Sequence, residues 1–298
     1  MISIISELEK ENKFSFYLSA FRLFICFHLL KKIFLFWESL SMFFDTNSFL
    51  AQNITSFDLL GISPSFIQSN YEWFIFSFAI LLVIYAFGIG KYFTALVLII
   101  YLRIFQSFAG MVLNGGDNLL MFIIIYTAFA DSYQFFSIKK LELTKNGQKY
   151  VNLFSNLASY SIMIHLCLAY FVSAINKVHS DVWFSGIATY YTLGLERYKS
   201  PINHLFINNG YFVTFTTYFT LFFELYFPVL IWVKKLRPLF IVSGILLHLG
   251  IYVFMMIYDF QTVFIAVYGF FITNSEWLHL KTVVENQLNK FSFKLLKI

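Results

Sequence analysis

Eight stretches of this chain are long and apolar enough to seek a lipid surround. They run over about 14–37, 72–89, 92–113, 117–136, 153–178, 211–233, 238–257 and 261–275. A helix needs about 20 mostly apolar residues to cross about 30 Å of hydrocarbon. The runs are continuous rather than alternating, which fits helices and not barrel strands. Composition agrees: of 298 residues, 59% are hydrophobic and 12% charged, and the mean hydropathy is +0.72. A soluble domain carries about 25% charged residues. These values exclude a soluble globular enzyme, a disordered chain and a nucleic-acid module. The expected fold is all-α, a polytopic membrane bundle of about eight transmembrane helices.

Lys and Arg are distributed unevenly between the connections. With a cytoplasmic N-terminus, 14 fall on the cytoplasmic side, including Lys139, Lys140, Lys234 and Lys235, and 2 on the other, Arg197 and Lys199. This asymmetry orients membrane proteins and predicts both termini in the cytoplasm. Residues 1–13 then form a cytoplasmic tail, 14–275 the membrane domain and 276–298 a second tail. The outer segments 38–71 and 179–210 are too long for turns and should hold short helices. Cys26 and Cys167 lie inside apolar stretches, so neither a disulfide framework nor a thiolate metal site is expected. The histidines lack ligand spacing, and no metal is expected.

Ionisable groups in hydrocarbon cost about 2.5 kcal/mol or more each and normally face a bundle interior. Arg22 and His28 lie in the first stretch, Arg103 and Gln106 in the third, His165 in the fifth, Glu224 in the sixth and His248 in the seventh. Counted from the span ends, Arg103, His165, Glu224 and His248 fall near mid-depth. Such a set is either packing glue between helices or a buried polar site. Helical spacing puts Arg103, Gln106 and Gly110 on one face, Thr217, Thr220 and Glu224 on another, and Gly244, His248 and Tyr252 on a third. Gly244 is expected to allow close helix approach.

Lys177 ends the fifth stretch on the outer side, on one face with Tyr170 and Ser173. On these residues alone it reads most simply as a lysine snorkelling to the interface; the alternative is a base, because desolvation at an apolar helix end favours the neutral amine. Asp117, in Asn114-Gly115-Gly116-Asp117, reads most simply as a helix cap, with ligand approach at the glycines as the alternative. The tryptophans, Trp183 among them, sit near span ends, where aromatic anchoring is the usual role.

Residues 170–191, YFVSAINKVHSDVWFSGIATYY, resemble the signature of the horizontally transferred transmembrane domain, the membrane part of vitamin K-dependent gamma-carboxylases. Tyr170, Phe171, Lys177, Trp183, Gly186, Ala188 and Tyr190 match it. Arg22-Leu23, Gly115-Gly116-Asp117, Glu224 with Pro228, and His248-Leu249-Gly250 follow the family's order, so the resemblance covers roughly residues 15–275. It implies that Lys177 is the base that deprotonates a reduced, vitamin K-like quinone near the outer face. His165, Glu224 and His248 would serve as a polar relay, and Arg22, Arg103, Gln106, Asp117 and Trp183 as ligand contacts. His165 and Asn176 depart from the family's usual residues, and the large lumenal region has no counterpart after the eighth stretch. Protein gamma-carboxylation is therefore not expected. The chain is also similar to a shorter bacterial branch, the sporulation-delaying-protein type, which implies the bacterial cytoplasmic membrane and a part in maturing a secreted antimicrobial peptide.

Two functions follow. One is an enzyme acting on a lipid-soluble ligand with Lys177 as base. The other is a non-enzymatic partner in peptide maturation or export, with the outer segments 38–71 and 179–210 making the contacts. Transport ranks below both, because no internal repeat or broken pair of short spans is visible.

Overall fold

The apolar stretches fold as helices, and four of them are long and apolar enough to cross a membrane. The computed structural model describes residues 2–45 and 61–295. Fourteen α-helices occur among these residues, joined by turns and short 3-10 segments, and no strand is present there.

In chain order the helices are α1 (Ile2–Lys10), α2 (Ser15–Leu35), α3 (Leu40–Phe44), α4 (Pro64–Ser69), α5 (Tyr71–Ala86), α6 (Lys91–Phe108) and α7 (Gly115–Thr127). They continue as α8 (Lys145–Val178), α9 (Asp181–Phe184), α10 (Ala188–Gly194), α11 (Gly210–Leu230), α12 (Arg237–Met255), α13 (Tyr258–Val267) and α14 (Asn274–Leu295). The four membrane-length apolar helices are α6, α8, α11 and α12. Helix α2 has 21 residues but carries Arg22, Lys31 and Lys32. Helices α5 and α7 are apolar but shorter. Helix α7 stops at Thr127, well before the expected end near 136. Helix α13 has 10 residues and continues only as a 3-10 turn over Tyr268–Phe271.

Of the four membrane-length helices, the most apolar is the least covered. Helix α12 reaches a mean hydropathy of 2.0, yet 11% of that window is buried. Val242, Leu246, Leu249 and Val253 stand exposed along it at helical spacing. Phe93, Leu96 and Ile100 do the same on α6. In water such stripes would oppose folding; facing lipid chains they cost nothing. This is the pattern of a helical integral membrane protein.

The chain divides into two units. The first comprises Met1–Leu113, Met121–Ser159 and Ile272–Ile298; the second comprises Asn114–Leu120 and Tyr160–Phe271. Helices α7 and α8 contribute residues to both.

In the first unit α2 packs on α5 and α14, and α5 packs on α6. The α5–α6 turn needs left-handed backbone, supplied by Gly88 (φ 70°) and Gly90 (φ 72°). The residues read as an N-terminal tail are helical and held by asparagines distant in sequence. Asn156 donates from Nδ2 to the carbonyls of Leu8 and Glu11 (both 2.8 Å) and accepts from the Lys13 N–H (3.0 Å). Asn152 donates to the Glu9 carbonyl (3.0 Å). Asn274 donates to the Asn12 carbonyl (2.9 Å) and accepts from the Phe16 N–H (3.1 Å). These bonds satisfy backbone groups that the break between α1 and α2 leaves open.

In the second unit α11 and α13 pack on α12, while α9 and α10 lie on α11. Segment 179–210 holds short helices, as expected: α9, α10 and 3-10 turns at Glu196–Tyr198 and Asn203–Leu205. In 38–71 the structure shows α3 and α4; residues 46–60 of that segment lie outside the described residues.

Candidate functional site

The last turns of α8 carry Tyr170, Ser173 and Lys177 at i, i+3 and i+7, one face of the helix. Helix α11 packs in the same unit and presents Glu224. The Lys177 ammonium lies 2.6 Å from each carboxylate oxygen of Glu224 and 2.7 Å from Ser173 Oγ. The Trp183 ring of α9 sits beside it, 5.0 Å from Nζ to the ring centroid. The ammonium thus has a counter-charge, a hydroxyl acceptor and an aromatic face. The side chains are 19% and 9% exposed for Lys177 and Glu224. At that burial, removing one partner strands a charge and costs about 3–5 kcal/mol. Pro228, four residues beyond Glu224 in α11, has no N–H, so the Glu224 carbonyl loses its helical donor.

A second hydrogen-bonded row lies in the same unit. His248 Nε2 is 2.5 Å from the Tyr170 hydroxyl, which bonds the Tyr268 hydroxyl in turn. His248 Nδ1 bonds Gln261 Oε1. With the amide oxygen toward the ring, Nδ1 carries the proton and Nε2 accepts from Tyr170; this tautomer follows from the partners. All four residues are at most 3% exposed. The Glu224 charge reaches both phenols and the Lys177 charge reaches the imidazole. Gly244 makes room for this row: a Cβ there would strike the Tyr268 hydroxyl and come within 2.9 Å of Phe223 Cζ. The glycine accommodates a phenol as well as a close helix approach.

Lys177, Glu224 and Trp183 meet, and His248 stands in the adjoining row. His165 does not join them: it is half-buried and twelve residues before Lys177 on the same helix. That separation is a rise of about 18 Å. Arg103 leaves the expected mid-depth set because it is exposed, in line with Phe93, Leu96 and Ile100, while Gln106 is buried. Three residues along a helix turn through about 300°, enough to divide an apparent common face between inside and outside. Arg103, Gln106 and Arg22 belong to the first unit.

Arg22 donates from Nη2 to the carbonyls of Phe135 (3.2 Å) and Phe136 (2.6 Å). Phe136 has φ 55°, a left-handed conformation uncommon for a bulky residue. Asp117 takes the capping role. Its carboxylate accepts from the Asn114 N–H (3.1 Å), and Asn114 Oδ1 accepts from the Gly116 N–H (2.8 Å). This reciprocal pair closes the start of α7. Gly115 and Gly116 face Phe260: a Cβ on Gly116 would lie 2.8 Å from Phe260 Cα. The two glycines serve helix packing.

Tyr268 and Gln261 were not singled out in the sequence. A glutamine within the last apolar stretch, with a tyrosine seven residues on at the same helical face, is the signal that could have found them. Among the described residues no three His, Cys, Asp or Glu side chains converge as metal ligands. A cavity of about 60 Å³ lies against Trp37, Leu40, Tyr71, Glu72 and Ile75, in the first unit.

No family model, no curated protein and no solved structure matches this chain.

Proposed function

We propose that the chain is a membrane enzyme of the horizontally transferred transmembrane-domain type, acting on a lipid-soluble, quinone-like ligand at Lys177. The observation that carries this reading is the Lys177 ammonium held between Glu224, Ser173 and Trp183 at the end of a membrane-length helix. A lysine that only snorkelled to the interface would point to water, not to a carboxylate on a neighbouring helix. In the proposed step Glu224 accepts a proton from the Lys177 ammonium, and the neutral amine takes the hydroxyl proton of a reduced quinone. The re-formed ammonium then stands beside the resulting oxyanion. The row His248–Tyr170–Tyr268 supplies neighbouring groups through which a proton can be exchanged. Eight spans, both termini in the cytoplasm and the bacterial cytoplasmic membrane complete this reading.

A second reading, a partner in maturation of a secreted peptide, draws on the exposed Phe184, Leu205 and Tyr211, which are 73%, 64% and 93% exposed. Mass spectrometry of what co-purifies in mild detergent separates the two. A quinone or similar lipid held by wild type and lost from Lys177→Arg, with oxygen-dependent turnover of reduced naphthoquinone by wild type alone, is the expected result. A peptide retained equally by both forms, with no turnover, would assign the chain to peptide maturation instead.

A further inference from the structure

The first unit contains a second buried polar group, which the proposed reaction does not use. Arg22, on α2, is 1% exposed. Only its Nη2 is engaged, by the Phe135 and Phe136 carbonyls; Nε and Nη1 have no hydrogen-bond partner. The Tyr133 ring lies beneath the guanidinium at 5.3 Å. No carboxylate among the described residues pairs with it. The nearby Asp131 is committed elsewhere, accepting from the Tyr133 N–H (3.0 Å) and from Gln134 Nε2 (3.1 Å). The hydroxyls of Tyr85, Ser132 and Tyr133 lie in the same region, and Arg22 acts electrostatically on both phenols. Each of these three residues is 0% exposed. Ser132 stands within reach of both phenols, and Thr127 within reach of Tyr85, but none of the three hydroxyls has a partner of regular hydrogen-bond geometry among the described residues.

Five buried donor atoms without a partner of regular geometry therefore share one neighbourhood with a positive charge that has no ion pair among the described residues and that Asp131 offsets only from a distance. Buried polar groups almost always find partners, and buried charges find a counter-charge. The missing component is an acceptor that is also an anion. Its position is bounded by Gly88, where a Cβ would strike Arg22 Nη1 and lie 2.6 Å from Ser137 Cβ and 3.3 Å from Tyr133 Cδ1. Packing this close shuts the Gly88 side of the guanidinium to any ion, so the acceptor would lie on the side of the three hydroxyls. A spherical ion needs no fixed lone-pair geometry and can accept from a guanidinium and several hydroxyls at once.

We propose that Arg22, Tyr85, Ser132 and Tyr133 form a buried halide site, occupied in the cell by chloride. The ion would neutralise Arg22 while Nη2 holds the Phe135–Phe136 backbone, so occupancy would stabilise the first unit. The site is independent of the chemistry proposed at Lys177.

The test is thermal unfolding of the full chain in mild detergent, with chloride titrated against gluconate at constant ionic strength. The melting temperature should rise saturably with chloride and with bromide, as binding to the folded state requires, and not with gluconate. Tyr85→Phe keeps the ring and removes one donor, so it should raise the half-saturating chloride concentration roughly tenfold. Arg22→Gln should abolish the dependence; should that variant fail to fold, Tyr85→Phe still decides. Equal melting temperatures in chloride and gluconate would overturn the proposal and leave water as the acceptor. A chloride effect unchanged in Tyr85→Phe would also overturn it, by placing the ion elsewhere.

Discussion

Lys177 and Glu224 are 47 residues apart in sequence and 2.6 Å apart in the fold. Their interaction is testable apart from any reaction. Lys177→Ala leaves the carboxylate without its counter-charge, and Glu224→Ala leaves the ammonium likewise. Each single variant should lose about 3–5 kcal/mol, and the double variant should lose well under the sum. Denaturation of the four proteins in detergent gives the coupling directly; additive losses would mean that the two charges do not stabilise one another in the membrane. His248→Phe tests the adjoining row. It leaves the Tyr170 hydroxyl without the imidazole and should destabilise by about 1–3 kcal/mol, whereas His165→Phe, half-buried and remote along α8, should cost less. A reversed order in unfolding experiments would count against the hydrogen-bonded row.

Among the helices, α7 depends on its first turn. Asn114 and Asp117 satisfy the opening N–H groups, so Asn114→Ala should cost about 1 kcal/mol. Gly116→Ala should cost more, about 1–3 kcal/mol, because the Phe260 backbone of α13 cannot move aside as a side-chain tip can. Thermal shift of both variants checks the order. The eight apolar stretches were legible as helices because helix formation in lipid depends on local composition. Their lengths were less legible. Helix α7 ends at Thr127, and Ser132 and Tyr133 lie in non-helical chain beyond it. Ala128, Phe129 and Ala130 are apolar enough to read as more of the same span, so hydropathy does not mark that end.

For the whole molecule, the distribution of Lys and Arg predicts one orientation. Reporter fusions after residue 140 and at the C-terminus should both report cytoplasm, and a fusion near residue 197 should report the outer side. A C-terminal fusion on the outer side would mean an odd number of spans and would move Lys177 relative to the charge pattern. A helical, lipid-facing chain can be read from the residues alone, because apolar run length and charge count are local properties that add along the chain. So can the shared face of Tyr170, Ser173 and Lys177, because helical periodicity requires it. That Lys177 faces Glu224, that Arg103 turns outward and that Tyr268 and Gln261 join His248 emerge from helix packing. Those outcomes depend on how each helix is rotated about its axis against its neighbours. A rotation of 60° costs the local sequence nothing, but it exchanges an interior position for one against lipid.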